Sequence, residues 1–380
     1  MEASLYIHVP FCTHKCAYCS FFSVPRDGGE RSYLPLLVRE LSGLEDLGVE
    51  APTLYIGGGT PSCMEAGFVE GLMAAVRQSV RLRSGAEVTC EANPETFTPA
   101  LAERWALAGV NRISLGAQSL EDGVLAAMGR GHRGADVPRA VEAARKAGIE
   151  NISLDLIYGY PGQTLAGWEE TLKGILELDV PHLSCYALTV EEGTPLARGL
   201  ALGTLALEEE SQADMGDLAV SMLHEAGYRR YEISNFAKPG QESRHNTVYW
   251  ERKPYLGIGA GAHGYLWEKG GWFRYFHAND LGAYREELET APEKRFPNRG
   301  YLSRAERMFE AVMLSTRMAR GLDRTTFCRE FGIRVEDAYP GVIQPLLEGN
   351  LLMERGEYLA LTPRGMDLQN GILMKFMRDC

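Results

Sequence analysis

Six short, β-rich apolar segments recur through the first half of the chain. They are LYIHV (5–9), TLYIG (53–57), EVTCEA (87–92), RISLGA (112–117), ISLDLIYG (152–159) and HLSCYAL (182–188). Stretches with apolar residues on a helical period alternate with them: YLPLLVRELSGL (33–44), FVEGLMAAV (68–76), LAERWALAG (101–109), VPRAVEAARKAG (137–148) and WEETLKGILEL (168–178). Strands alternating with helices predict βα units and a parallel sheet. The segments read as nearly continuous apolar runs, which predicts a sheet covered on both faces. Periodicity alone leaves both an open doubly wound sheet and a partly closed barrel as solutions.

The polar and special residues have a pattern of their own. Cys12, Cys16 and Cys19 follow the first segment and GGGTPS (57–62) follows the second. Glu91 ends the third, Gln118 ends the fourth and Asp155 lies on the fifth. In a parallel sheet these positions open on one face, where α/β proteins build their sites. Beyond about residue 200 the repeat stops. Residues 236–300 are rich in Gly, aromatics and turn residues, and read as a connecting segment. Helical periods return from 301, ending in helix, GNLL, a two-stranded element around GEYLALT, and helix. The expected organisation is a core over 1–235, the connection over 236–300, and a smaller, mainly helical, winged-helix-like domain over 301–380. GIGAGAHG (257–264) superficially matches a dinucleotide fingerprint, but KPYL before it is a poor strand and HGYLWEKGGW after it a poor helix, so that reading is rejected.

CTHKCAYC spaces its cysteines C-x3-C-x2-C on a loop. A Cys3His zinc site, with His8 or His14 as fourth ligand, is one reading. An iron–sulfur cluster with one iron left open is the other, because four irons take four ligands and this loop offers three thiolates. The remaining cysteines, Cys63, Cys90, Cys185, Cys328 and Cys380, are scattered singly.

Composition narrows the classes. The formal net charge of −12 argues against nucleic acid as a partner. The acidic run LEEESQAD (207–214) reads as a solvated helix face. No apolar run is long enough to span a membrane, and MEASLYIHVPF has no secretory character, so a cytoplasmic location is expected. Eight cysteines there are thiols or metal ligands rather than disulfides.

YIHVPFCTHKCAYC resembles the signature of the radical S-adenosylmethionine (SAM) enzymes. YIHVPFC, GGGTPS, EANPE, LGAQS, DLIYGYPGQT and GIGAGAH are similar to the oxygen-independent coproporphyrinogen oxidase group over nearly the whole chain. Within it, two features point to the haem-chaperone branch: Phe21 stands where the oxidase carries a further cysteine, and HNTVYW (245–250) fits that branch's motif. The cysteine loop also lies almost at the start of the chain, without the oxidase's N-terminal extension. The resemblance implies a partial (β/α)6 barrel and a [4Fe-4S] cluster on Cys12, Cys16 and Cys19, with SAM chelating the open iron. It places SAM contacts at Tyr6, Tyr18, Gly58, Gly59, Thr60, Glu91, Gln118, Arg130 and Asp155. An Asp155–Arg130 ion pair with a purely structural role is the plain alternative. Haem contacts are implied at His245 as axial ligand, with Asn246, Tyr249 and Trp250, and with Arg244 toward a propionate. HNTVYW as a loop anchored by Asn and buried aromatics is the plain reading there.

The implied function is haem binding and transfer to an acceptor, a respiratory protein being one kind, with an electron donor for the cluster. Oligomeric state stays open. The alternative is a radical oxidoreductase that cleaves SAM and abstracts hydrogen from a porphyrinogen.

Overall fold

The computed structural model describes residues 1–290 and 295–377; Cys380 lies outside them. The six segments are strands β1 (Ser4–Val9), β2 (Glu50–Gly58), β3 (Arg81–Ala92), β4 (Arg112–Gln118), β5 (Asn151–Tyr158) and β6 (His182–Ala187). They pair in sequence order, each parallel to the next. The crossovers carry the helices Tyr33–Ser42, Phe68–Ser79, Pro99–Ala108, Asp136–Lys146 and Leu165–Glu177. Local chemistry sets their ends. Thr98 accepts the Leu101 N–H at one N-terminus, with Pro99 at the first helical position, and Gly109 closes that helix at φ +93°. LEEESQAD enters the helix Glu209–Glu225, and its acidic residues are exposed, as a solvated face requires.

The strands are not apolar on both faces. Along β4, Ile113 and Leu115 are buried in the core under the helices, while Arg112, Ser114, Gly116 and Gln118 line an internal cavity. The same alternation runs through β5, where Leu154 and Leu156 face the core and Asp155 and Ile157 the cavity. In β6, Leu183 and Cys185 pack outward while Ser184 and Tyr186 line the cavity. The helices cover one face, and the other encloses polar space. One cavity of about 470 Å³ touches β2 through β6 and the loop after β1. Flat strands ~4.8 Å apart would separate β2 from β6 by about 19 Å, so the sheet is curled into a partial barrel.

The segment after the six units extends this sheet at both edges. Asn235–Ala237 (β7) runs antiparallel to β6. Tyr255–Ile258 (β8) pairs parallel with β1 on the other side, followed by the hairpin of His263–Glu268 (β9) and Gly271–Phe276 (β10). KPYL therefore does lead into a strand, one too short to show a period. GIGAGAHG joins strand to strand with no helix after it, so it offers no helix N-terminus to a pyrophosphate.

Residues from Arg304 build a second core around Val312, Phe327, Phe331, Leu346, Leu359 and Phe376. Helices surround a three-stranded antiparallel sheet made by Leu322–Asp323, Tyr358–Leu361 and Leu352–Arg355. This domain is tied to the barrel by charge. Arg317 Nε donates to the fully buried Glu232 at 2.7 Å, and Arg252 pairs with Glu330 at 2.5 Å.

Another buried charge cluster anchors the turn after β8. Glu40 accepts the Gly259 N–H at 2.9 Å and the Tyr284 hydroxyl at 2.5 Å. His277 lies 2.8 Å from Glu40 and 3.1 Å from Glu287. Burial by itself would depress the imidazole, but the two carboxylates outweigh it and lift His277 to about 9. A folded value above the unfolded one stabilises fully below about pH 6.5, and that stability is lost as pH rises through about 9. Urea unfolding at pH 6 and pH 9.5 should show a loss on the order of 3 kcal/mol that His277→Gln abolishes. Equal pH dependence in the two proteins would refute the charge cluster.

Candidate functional site

The C-terminal ends of the strands open on the cavity. Cys12, Cys16, Tyr18, Cys19 and Phe21 line it from the loop after β1. Gly58, Gly59 and Thr60 line it after β2, and Glu91, Gln118 and Asp155 from β3, β4 and β5. Arg130 reaches it from beyond β4. Eight of the nine residues expected to hold SAM thus share one wall system with the three cysteines. Tyr6 is the exception. It sits behind the cavity, stacked on Tyr55 with ring centroids 6.1 Å apart, its hydroxyl 2.8 Å from His8 Nδ1.

The thiols are approached by donors. Thr60 Oγ1 donates to Cys12 Sγ at 3.5 Å, and Arg130 Nη1 to Cys16 Sγ at 3.5 Å. Arg130 also donates to Asn93 Oδ1 at 2.7 Å and to the Gly116 carbonyl at 2.8 Å. Burial first of all raises the Cys12 and Cys19 thiols. Among the described residues no three His, Cys, Asp or Glu side chains converge on one point as a single zinc ion needs. His8 is engaged instead by Tyr6 and by the Phe22 carbonyl at 3.0 Å, and His14 Nδ1 is 3.1 Å from the Thr13 hydroxyl. Three separated thiols with cationic and hydroxyl donors suit an iron–sulfur cluster, which takes one thiolate per iron corner.

The glycines have a geometric reason. At Gly58, with φ +113°, an added Cβ would lie 2.3 Å from the His8 ring; at Gly59 it would lie 2.6 Å from the Phe11 carbonyl oxygen. Part of the close approach is therefore made by the protein's own first strand and loop, and the rest of each residue is left facing the cavity.

Asp155 is not paired with Arg130. Its oxygens accept from Ser184 at 2.7 Å, Ser114 at 2.9 Å and Ser153 at 3.2 Å. Burial nonetheless raises its carboxyl, against the pull of those hydroxyls and of Arg112. Glu91 accepts the Tyr55 hydroxyl at 2.7 Å and the Gly58 N–H at 2.8 Å, and burial pushes it up to about 7.

HNTVYW is a short helix, Arg244–Trp250, capped by Ser243. His245 is fully buried. Its Nδ1 lies 2.7 Å from Thr53 Oγ1 and its Nε2 2.7 Å from the Tyr249 hydroxyl. Burial, then the charge of Arg112, pushes it down to about 3, so it is neutral. Asn246 lines the cavity. Trp250 lies under the Arg317 guanidinium, 4.5 Å from its ring centroid. Arg244 donates to the carbonyls of Gly85 at 2.7 Å and Pro52 at 3.4 Å. The structure brings Asn246 to the cavity that the cysteines line and leaves Arg244, His245, Tyr249 and Trp250 out of its lining.

Two family models match the chain: the Radical SAM superfamily over residues 6–175 and the HemN C-terminal domain over residues 302–368. "Heme chaperone HemW" of Lactococcus lactis is 36% identical over 99% of this chain and 97% of its own length. The chain belongs to the HemW family of radical SAM proteins. The Escherichia coli HemW is 32% identical over 99% of this chain and 98% of its own. The solved structure of coproporphyrinogen III oxidase (HemN) from the same organism superposes with a TM-score of 0.85, covering 99% of this chain and 90% of that one. At 22% identity that likeness shows a shared fold. The partial barrel with its helical C-terminal domain is thus the HemN architecture.

Several groups in the cavity lining or just behind it escape a reading that treats the strands as apolar runs. They are Tyr55, Arg112, the serines 114, 153 and 184, His182 and Tyr186. His182 is buried, with Nδ1 2.8 Å from Ser153 Oγ and Nε2 2.9 Å from the Tyr231 hydroxyl. The signal that finds them is strict alternation, R-I-S-L-G-A-Q in β4 and H-L-S-C-Y-A in β6. Every second residue is polar or small, which a sheet covered twice by helices does not need.

Because its folded value is raised, Glu91 destabilises the fold as pH climbs from about 4.5 through about 7. Glu91→Gln is expected to raise unfolding free energy by on the order of 3 kcal/mol at pH 8 and to leave it unchanged at pH 4. Denaturant melts at the two pH values check this, and a variant less stable at pH 8 would refute it.

Proposed function

We propose that this protein binds a [4Fe-4S] cluster through Cys12, Cys16 and Cys19, binds SAM in the barrel cavity, and holds haem for delivery to an acceptor protein. The observation that carries the reading is the convergence of three thiols, a neutral-poised carboxyl and two glycine backbones on one polar cavity, in a chain whose full-length relatives are named haem chaperones.

The donor set fits the cofactors. When bound, the cluster supplies one-electron chemistry at the SAM sulfonium, or holds SAM without consuming it. This chain's residues have separate tasks. Arg130 and Thr60 compensate thiolate charge at Cys16 and Cys12. Glu91 and Asp155 present acceptors to an ammonium group and to ribose hydroxyls, at two heights of the barrel. Tyr18 and Gln118 close the wall between them, and Phe21 gives the mouth an apolar edge with 69% of its surface exposed. Haem reaches His245 only by displacing Thr53 and Tyr249. We therefore assign the first haem contact to Asn246, with His245, Tyr249 and Trp250 engaged once the helix Arg244–Trp250 opens.

The anaerobically reconstituted protein, titrated with haem and assayed with coproporphyrinogen III in parallel, tests the reading. Stoichiometric haem binding without porphyrinogen conversion is expected. Cys12→Ala should lower bound iron severely by colorimetric assay. Conversion of coproporphyrinogen without haem binding would make the chain an oxidase and overturn the proposal.

A further inference from the structure

Arg112 is a buried cation with no ion-pair or hydrogen-bond partner among the described residues. It opens β4 at the closed end of the barrel, is 2% exposed, and lines the cavity. Among the described residues its guanidinium enters no ion pair and donates no hydrogen bond, and Nε is buried without an acceptor. Its charge is felt by Asp155, Tyr55, Tyr231, His182 and His245. None of them neutralises it at contact: Asp155 is held by its three serines, and both histidines are neutral and engaged elsewhere.

Arg130 at the mouth differs in degree: its two Nη atoms donate to Cys16, Asn93 and Gly116, and only its Nε is buried without an acceptor. Burying a charge without a partner is costly, and a fold keeps one where an outside group completes it. Asn246 adds a second unfilled group, because its side-chain amide lines the cavity and makes no hydrogen bond among the described residues. A guanidinium and a carboxamide offer N–H donors, which is the recognition chemistry of a carboxylate.

We propose that Arg112 and Asn246 form a carboxylate subsite at the floor of the cavity, which receives a propionate of the bound tetrapyrrole. The assignment rests on the haem-binding reading above. The amino-acid end of SAM carries the same chemistry. The register sets Arg112 beside Thr89 and Ser114 beside Glu91, so Arg112 lies two residues, about 7 Å at ~3.3 Å per residue, below the carboxyl given to the SAM ammonium. The two sources of the carboxylate are told apart by esterifying the propionates and by measuring SAM affinity.

The test uses the reconstituted full chain, wild type and Arg112→Gln, titrated with haem, with haem dimethyl ester and, by calorimetry, with SAM. Wild type is expected to prefer haem to the ester by on the order of tenfold or more. Arg112→Gln should erase that preference by weakening haem alone, with ester and SAM affinities unchanged. A preference that survives the substitution overturns the proposal, as does equal wild-type affinity for haem and ester, which would leave the haem reading intact. Loss of SAM affinity in Arg112→Gln would give the floor to SAM and overturn the propionate assignment. Failure of wild type to bind haem would sink the haem reading and this inference together. If Arg112→Gln does not accumulate, Asn246→Ala is read in the same way: a reduced preference for haem over ester supports the subsite, and an unchanged one refutes it.

Discussion

Each strand of this barrel has to satisfy two solvents at once. Its outward residues, such as Leu154 and Leu183, are fully buried in the core beneath the helices, and their burial supplies the bulk of the stabilisation. Its inward residues enclose polar space, where every buried donor and acceptor needs a partner. The serines around Asp155, the Tyr55–Glu91 bond and the His182–Tyr231 pair meet that demand. The residues that keep the interior from collapsing onto itself are therefore the same ones that shape the site.

Where satisfaction is incomplete, the chemistry becomes informative. Glu91 and Asp155 are carboxyls raised mainly by burial, and Arg112 is a cation without an ion-pair or hydrogen-bond partner among the described residues. Such groups burden the empty fold and are relieved by a ligand that brings the missing charge or hydrogen bonds. The three thiols at the mouth complete the arrangement, so the cavity is graded from cysteines and Arg130 at the top, through two carboxyls, to a guanidinium at the floor.

Edge elements do the positioning. The strand Tyr255–Ile258 and its hairpin continue the sheet past β1, and the buried Glu40–His277 pair fixes the turn between them. On the other side, Glu232 and Arg317 fasten the C-terminal domain close to the helix that carries HNTVYW. That helix is thereby held between barrel and domain, and its histidine is locked by one partner from β2 and one from its own next turn.

Much of this was legible from sequence. The six βα units and the convergence of Cys12, Thr60, Glu91, Gln118 and Asp155 at strand ends follow from local periodicity and from the rule that parallel strands point their C-termini one way. The alternation in R-I-S-L-G-A-Q was present too, but weak beside the β-branched and aliphatic content. Only the tertiary structure decided that the sheet curls, because curvature depends on how all strands and helices pack at once. It alone placed Tyr6 behind the wall, gave Asp155 to serines instead of Arg130, buried His245 and stranded Arg112. Those outcomes are set by which side chains meet across the barrel, between residues up to 192 positions apart in the chain, and no local pattern encodes such meetings.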